Sequence, residues 1–161
     1  MQEKSSLVIA IKWIKGLLNR LTIPHQIAGG LAAKCFGSSR PLHDIDIYVP
    51  GSTLKKLETE LQAYIEFGPA HYCDEHWELT FMKLNYKGQQ IELADADDAR
   101  YFNSVKNQWV EADIDFTQSV IIKFRGIKLP IMPKKDLIEY KQGLNRTVDQ
   151  IDVREILGEK L

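Results

Sequence analysis

The run Asp44-Ile45-Asp46-Ile47-Tyr48-Val49 constrains this chain more than any other stretch. β-Branched and aromatic residues favour a strand, and strand side chains alternate between two faces. Asp44 and Asp46 therefore share one face, while Ile45 and Ile47 point into the opposite layer. The sheet that holds this strand must have one apolar side and one side where two carboxylates stand together. Neighbouring anions repel, and a divalent cation is the usual reason for such a pair.

What precedes the strand sharpens this. Leu7, Ile11, Ile14, Leu18 and Leu21 recur at spacings of one face of an amphipathic helix, with Lys12, Lys15, Asn19 and Arg20 on or near the wet side. Pro24 stops the helix, and His25 to Ala28 reads as a short strand. Gly29-Gly30 then leads into a small-residue helix over Gly30 to Phe36, followed by a loop, Gly37-Ser38-Ser39-Arg40-Pro41. The second strand covers Asp44 to Val49, and Pro50-Gly51 is a turn with Ser52 as the expected N-cap of the next helix. Leu54, Leu57, Leu61 and Tyr64 mark the buried side of that helix.

Strand, helix, strand, helix is the opening of an α/β layer. The pattern then becomes antiparallel. Leu79 to Tyr86 and Gln90 to Ala94 flank a hairpin turn at Lys87-Gly88, and Thr117 to Phe124 and Ile127 to Met132 flank another at Arg125-Gly126. Asp95 to Arg100 is too polar for a strand interior. Met132-Pro133 opens a helical region with Leu137, Tyr140 and Leu144 as its apolar stripe, in which proline suits the first turn and Gly143 is a possible break. A final helix runs from about Thr147 to Leu157. The expected fold class is α+β, an α/β two-layer arrangement: a mixed β-sheet with helices on one face, plus C-terminal helices. Residues 1–161 read as a single domain, with the helices of about 133–157 as an appendage.

Glu92, in Gln90-Ile91-Glu92-Leu93, shares a strand face with Gln90 and Ala94. If its strand lies beside Asp44 to Val49, three carboxylates converge, a hard-oxygen set that suits Mg²⁺. The balance of 21 basic and 22 acidic residues argues against a broad nucleic-acid-binding surface. No long apolar run is present, so neither a signal peptide nor a membrane span is expected, and the cytoplasm is the default. Cys35, beside Phe36, reads as a buried thiol rather than half of a disulfide.

The chain resembles the polymerase-β-like nucleotidyltransferase superfamily, and is most similar to the lincosamide and aminoglycoside nucleotidyltransferases. The resemblance rests on Gly29-Gly30, a spacer of thirteen residues containing Gly37, Arg40 and His43, then Asp44-Ile45-Asp46 and the later Glu92. The tail is similar too. Pro133-x-x-Asp136-Leu137-x-x-x-Lys141 and Arg146-x-x-Asp149-x-x-Asp152 look like a paired helix motif of that family. The chain departs from the family in its shorter spacer, in Lys34 where relatives often carry an acid, and in Glu92 where Asp is commoner.

The resemblance implies an enzyme that transfers a nucleoside monophosphate from a nucleoside triphosphate such as ATP to a hydroxyl of a small molecule, protein or RNA. Asp44, Asp46 and Glu92 would hold one or two Mg²⁺, with Glu92 as general base or as a group that orients the acceptor. Gly29, Gly30, Ser38, Ser39, Arg40 and Lys141 would bind the nucleotide. Related enzymes complete their acceptor pocket with a helical domain or a dimer, so a homodimer or protein partner is expected for so short a chain. The alternative is a non-catalytic nucleotide- or partner-binding protein of the same fold, of regulatory or toxin–antitoxin type.

Plainer readings stand beside these. Gly29-Gly30 makes a tight turn, Glu92 an exposed strand residue, Arg40 a partner for Asp44, Lys141 a solvated helix lysine and His43 a loop-orienting hydrogen bonder. His71-Tyr72-Cys73-Asp74-Glu75-His76 has zinc-like spacing but no matching second pair of ligands. Asp95, Asp97 and Asp98 lack the glycine and terminal Glu of a calcium loop, and Trp13, Trp77 and Trp109 are too scattered for a base-stacking platform.

Overall fold

The computed structural model describes residues 2–159, with side chains from Ser6 onward, so Met1, Lys160 and Leu161 of the expected domain lie outside the described residues. These residues form five α-helices and nine strands in one mixed sheet. The order is α1 (Gln2–Arg20), β1 (Gln26–Ala28), α2 (Gly29–Cys35), β2 (Asp44–Val49), α3 (Leu54–Leu61), β3 (Ile65–Cys73), β4 (Trp77–Tyr86) and β5 (Gln89–Asp95). It continues through β6 (Arg100–Asn103), β7 (Gln108–Glu111), β8 (Val120–Phe124), β9 (Ile127–Ile131), α4 (Lys134–Leu144) and α5 (Thr147–Ile156).

The sheet runs β7-β6-β4-β5-β2-β1-β9-β8, with β3 paired to the free side of β4. Two pairings within it are parallel, β2 with β5 and β1 with β9, and the others are antiparallel. The two expected hairpins are β4–β5 and β8–β9. Each closes through a two-residue turn with both φ angles positive, Lys87 (50°) with Gly88 (86°) and Arg125 (46°) with Gly126 (84°). That turn matches the right-handed twist of the strands it joins.

Alternation divides the sheet as the sequence requires. Ile45, Ile91 and Leu93 are fully buried on the apolar side. There α1 lays Ile11, Ile14 and Leu18 against Ile27, Ile45, Ile47 and Leu129. Each such side chain contributes about 1.5–3 kcal/mol by leaving water. Leu54, Leu57 and Leu61 bring α3 into the same core. On the carboxylate side stand α4 and α5, with α4 packed on β6 and α5.

Several local expectations change. β3, β6 and β7 carry no clean two-residue alternation, and residues such as Glu66, Gly68, Pro69 and His71 hide β3, which is formed through its register with β4. Ser52 lies inside a short 3₁₀ turn, Gly51–Thr53, and α3 has no side-chain N-cap bond. Pro133 is the N-cap of α4 rather than its first helical residue. Gly143 does not break α4; the left-handed Asn145 ends it. Gly143 permits close packing instead, since a Cβ there would sit 2.8 Å from Tyr101 Cε2 and 2.9 Å from Asn103 Nδ2. Gly143→Ala should therefore destabilise the protein by about 1–3 kcal/mol despite alanine's better helix propensity. Chemical denaturation of both proteins checks this, and a stabilised variant would show that α4 and β6 are not in close contact.

Candidate active site

Register builds the site. In the parallel pairing of β2 with β5, Asp46 lies beside Glu92 and Asp44 beside Gln90. On its other side Asp46 faces Ala28 of β1, whose single methyl leaves room. One oxygen from each of Asp44, Asp46 and Glu92 lies within 4.8 Å of the other two. Among the described residues no other group of three or more His, Cys, Asp or Glu side chains meets that condition, so His71, Cys73 and His76 form no metal site there. Cys73 Sγ and His71 Nε2 instead approach Glu78, at 3.5 and 3.8 Å.

Burial pushes the Asp46 carboxyl well above the usual carboxylate range, and the charges of Asp44 and Glu92 push it further. Glu92 is raised as well, first by burial and then by Asp44. The contact between Asp46 and Glu92 adds to the rise at Asp46 and opposes the rise at Glu92. Lys83 stands opposite Glu92 in the β4–β5 register and favours its ionised form. Three oxygens so placed, without enough positive charge beside them, make a donor set that fits Mg²⁺.

Gly29 fixes the approach to Asp46. Its φ is +59°, and a Cβ there would lie 2.0 Å from Asp46 Oδ2. Glycine alone accepts both the backbone angle and the contact. Gly29 N–H donates to Tyr140 Oη at 3.0 Å, which joins α4 to the start of α2. Burial is the main cause that drives the Tyr140 and Tyr48 phenols far above their ordinary values, so both stay protonated.

A cleft of about 480 Å³ opens over the carboxylates. Gly29, Gly30, Arg40, Lys83, Lys141 and Arg146 line its polar wall, and Tyr72, Trp77, Phe81 and Tyr140 its aromatic wall. His43 lines the cleft as well, and its main-chain carbonyl accepts from Gln89 Nε2. Arg40 pairs with Asp152 and not with Asp44: Nε and Nη2 reach the two carboxylate oxygens at 2.8 and 2.9 Å. Lys141 is 3% exposed and so is not a solvated helix lysine; it lies 3.0 Å from Asp152 and 3.4 Å from Asp149. Ser38 donates to Asp152, and Ser39 to Glu155 through both backbone and hydroxyl. Neither serine lines the cleft. Burial also pushes the half-buried Cys35 thiol up to about 11, and neither cysteine is in a disulfide.

Sequence reasoning missed Lys83, Tyr140 and Arg146 as cleft residues, and Asp149 and Asp152 as buried ion-pair partners. Counting back from the Lys87-Gly88 turn does place Lys83 opposite Glu92. The spacing of Asp149 and Asp152 at i and i+3 is by itself that of an ordinary solvated face, and only their place in the Arg146-x-x-Asp149-x-x-Asp152 resemblance sets them apart.

No family model and no curated protein matches the chain. Solved structures do. A provisionally assigned nucleotidyltransferase from Thermotoga maritima aligns over 94% of both chains at 18% identity, with a TM-score of 0.66. The lincosamide antibiotic adenylyltransferase LnuA, with lincomycin bound, aligns over 93% of this chain and 96% of its own at 13% identity and TM-score 0.60. ANT(2")-Ia in complex with adenylyl-2"-tobramycin aligns over 94% and 88% at 15% identity and TM-score 0.61. At these identities the likeness is one of architecture: this chain has the α+β nucleotidyltransferase fold.

The raised acids set a pH dependence. Above the ordinary carboxylate range the folded, cation-free chain binds more protons at Asp46 and Glu92 than the unfolded chain does, so stability falls as pH rises through their raised values. Asp152 has the opposite sign. Held down from 3.8 to about 2 against its burial by Arg40, Ser38 and Lys141, it stabilises above its ordinary value, and that contribution is lost as pH falls through about 2. Mg²⁺, which binds the ionised acids, should thus raise the melting temperature more at about pH 8 than at about pH 5. Equal melting curves with and without Mg²⁺ at both values would count against a cation site. Gly29→Ala should abolish the Mg²⁺ effect, because its methyl displaces Asp46.

Proposed function

We propose that this chain is a Mg²⁺-dependent nucleotidyltransferase that moves a nucleoside monophosphate from a nucleoside triphosphate to an acceptor hydroxyl. The observation that carries the reading is the convergence of Asp44, Asp46 and Glu92 within 4.8 Å, beside Gly29, in a fold shared with nucleotidyltransferases. Asp44, Asp46 and Glu92 are the residues that would hold one or two Mg²⁺. When bound, Mg²⁺ neutralises charge that builds on the transferring phosphoryl group.

The chain's own groups then divide the work. Glu92 takes the proton of the acceptor hydroxyl at a carboxylate oxygen. The acceptor oxygen bonds to the α-phosphorus, the bond from that phosphorus to the β-bridging oxygen breaks, and pyrophosphate leaves. Lys83, across the strand, favours the ionised form of Glu92 against its burial. Gly29 and Gly30 bring main chain close to the phosphates, while Arg40 and Lys141 supply positive charge on the same wall. Ser38 and Ser39 serve by fixing the loop that carries Arg40. The aromatic wall of Trp77 and Phe81 takes planar or apolar parts of the ligands.

The lincomycin and adenylyl-tobramycin bound by the structural neighbours make a small hydroxylated molecule the first acceptor class to test. The two free cysteines fit a reducing compartment such as the cytoplasm, and among the described residues no helix is long and apolar enough to cross a membrane.

The experiment supplies each of the four nucleoside triphosphates with Mg²⁺ and a panel of hydroxyl-bearing acceptors, and follows pyrophosphate release. Turnover is expected with at least one combination, and Asp46→Asn should lower it by about 10²-fold or more while keeping or raising the melting temperature of the cation-free protein. Tight nucleotide binding without pyrophosphate release, across acceptors and with the protein itself as acceptor, would favour a non-catalytic binding protein.

A further inference from the structure

The charges between α4 and α5 exceed what two packed helices need. Lys141 is 3% exposed and the side chains of Asp149 and Asp152 are fully buried. Lys141 Nζ bridges the two carboxylates, Arg40 grips both oxygens of Asp152, and Arg146 grips both oxygens of Asp149 at 2.7 and 3.1 Å. Burying Lys141, Asp149 and Asp152, with two half-buried arginines against them, is costly, and apolar residues of like volume commonly serve a helix contact as well or better. Three cations on two carboxylates also leave one positive charge in surplus.

The arrangement has a direction. Arg40, Lys141 and Arg146 all line the cleft above Asp44, Asp46 and Glu92, whereas Asp149 and Asp152 stand behind them and do not. Both arginines bind their carboxylate through Nε and Nη2, which leaves Nη1 of each without a hydrogen-bond partner among the described residues. Side-on pairing locks the plane of a guanidinium and keeps its remaining donors for a second anion.

We propose that Asp149 and Asp152 are positioning residues, which from behind the cleft hold Arg40, Lys141 and Arg146 as one anion seat for the two phosphates that leave as pyrophosphate. This rests on the nucleotidyltransferase reading, and extends it by assigning the polyphosphate tail to the α4–α5 end of the cleft. The aromatic wall then falls to the nucleoside or the acceptor.

The test measures pyrophosphate binding by calorimetry, and KM and kcat for the nucleoside triphosphate, in the wild type, Asp152→Asn, Arg40→Gln, the double variant and Arg146→Lys. Asp152→Asn and Arg40→Gln should each weaken pyrophosphate binding about tenfold or more, and the double variant should be no more than about threefold worse than either, because Asp152 acts through Arg40. KM should rise with the dissociation constant while kcat changes much less, a split that general loosening of the fold does not produce. Arg146→Lys keeps the rim charge but not the fork, and should also lose about tenfold in affinity; it tests the aiming even if Asp152→Asn does not fold.

Pyrophosphate affinity within about threefold of wild type in a folded Asp152→Asn or in Arg146→Lys overturns the proposal, as do multiplicative effects in the double variant. So does a wild type that binds no pyrophosphate. A wild type that binds pyrophosphate with these dependences but never turns over a nucleoside triphosphate leaves the seat standing and removes the reaction.

Discussion

Repulsion among Asp44, Asp46 and Glu92 is the constraint to which the rest of the molecule answers. Strand register forces the three together, and partial burial denies them the water that would screen them. The cluster persists because the opposite faces of the same strands are the core. Ile45, Ile91 and Leu93 are fully buried, so slipping β2 or β5 by one residue would relieve the repulsion only by turning those side chains to solvent. Hydrophobic burial thus holds an electrostatically unfavourable arrangement in place, and relief of that repulsion is what the proposed cation would gain.

A second charge centre of opposite sense stands beside it. Between α4 and α5 three cations meet two carboxylates, and there the carboxylates are hidden and the cations face the cleft. The two centres are bound to each other through the backbone. Ser38, Ser39 and Arg40 attach the loop before β2 to α5, and Tyr140 attaches α4 to Gly29, which touches Asp46. Hence the acidic floor and the basic wall keep a fixed spacing without direct contact between them.

Much of this was legible in the sequence because it depends on local period and turn chemistry. Alternation in β2, two hairpin turns each ending in glycine, and the apolar stripes of α1, α3 and α4 were all readable from spacing alone. β3, β6 and β7 were not, because their pairing with longer strands decides their conformation. At the site, Asp44, Asp46 and Glu92 follow from strand parity once β2 and β5 are neighbours. The roles of Asp149 and Asp152 do not follow from parity or propensity. Whether an acidic residue on a helix meets water or a buried arginine is decided by contacts more than a hundred residues away, such as Arg40 with Asp152, 112 positions apart.

That separation has a consequence for how the protein is made. A chain emerging from the ribosome presents β1, α2, β2 and β5 well before α4 and α5 exist, so the acidic cluster can be assembled while its basic wall is still unsynthesised. Closing contacts across more than a hundred residues is a late and slow event in folding. The nascent domain therefore passes through a stage in which Arg40 has no buried carboxylate to grip and Gly29 no tyrosine to meet. The basic wall of the cleft is therefore complete only once α5 has docked against α4 and the loop before β2.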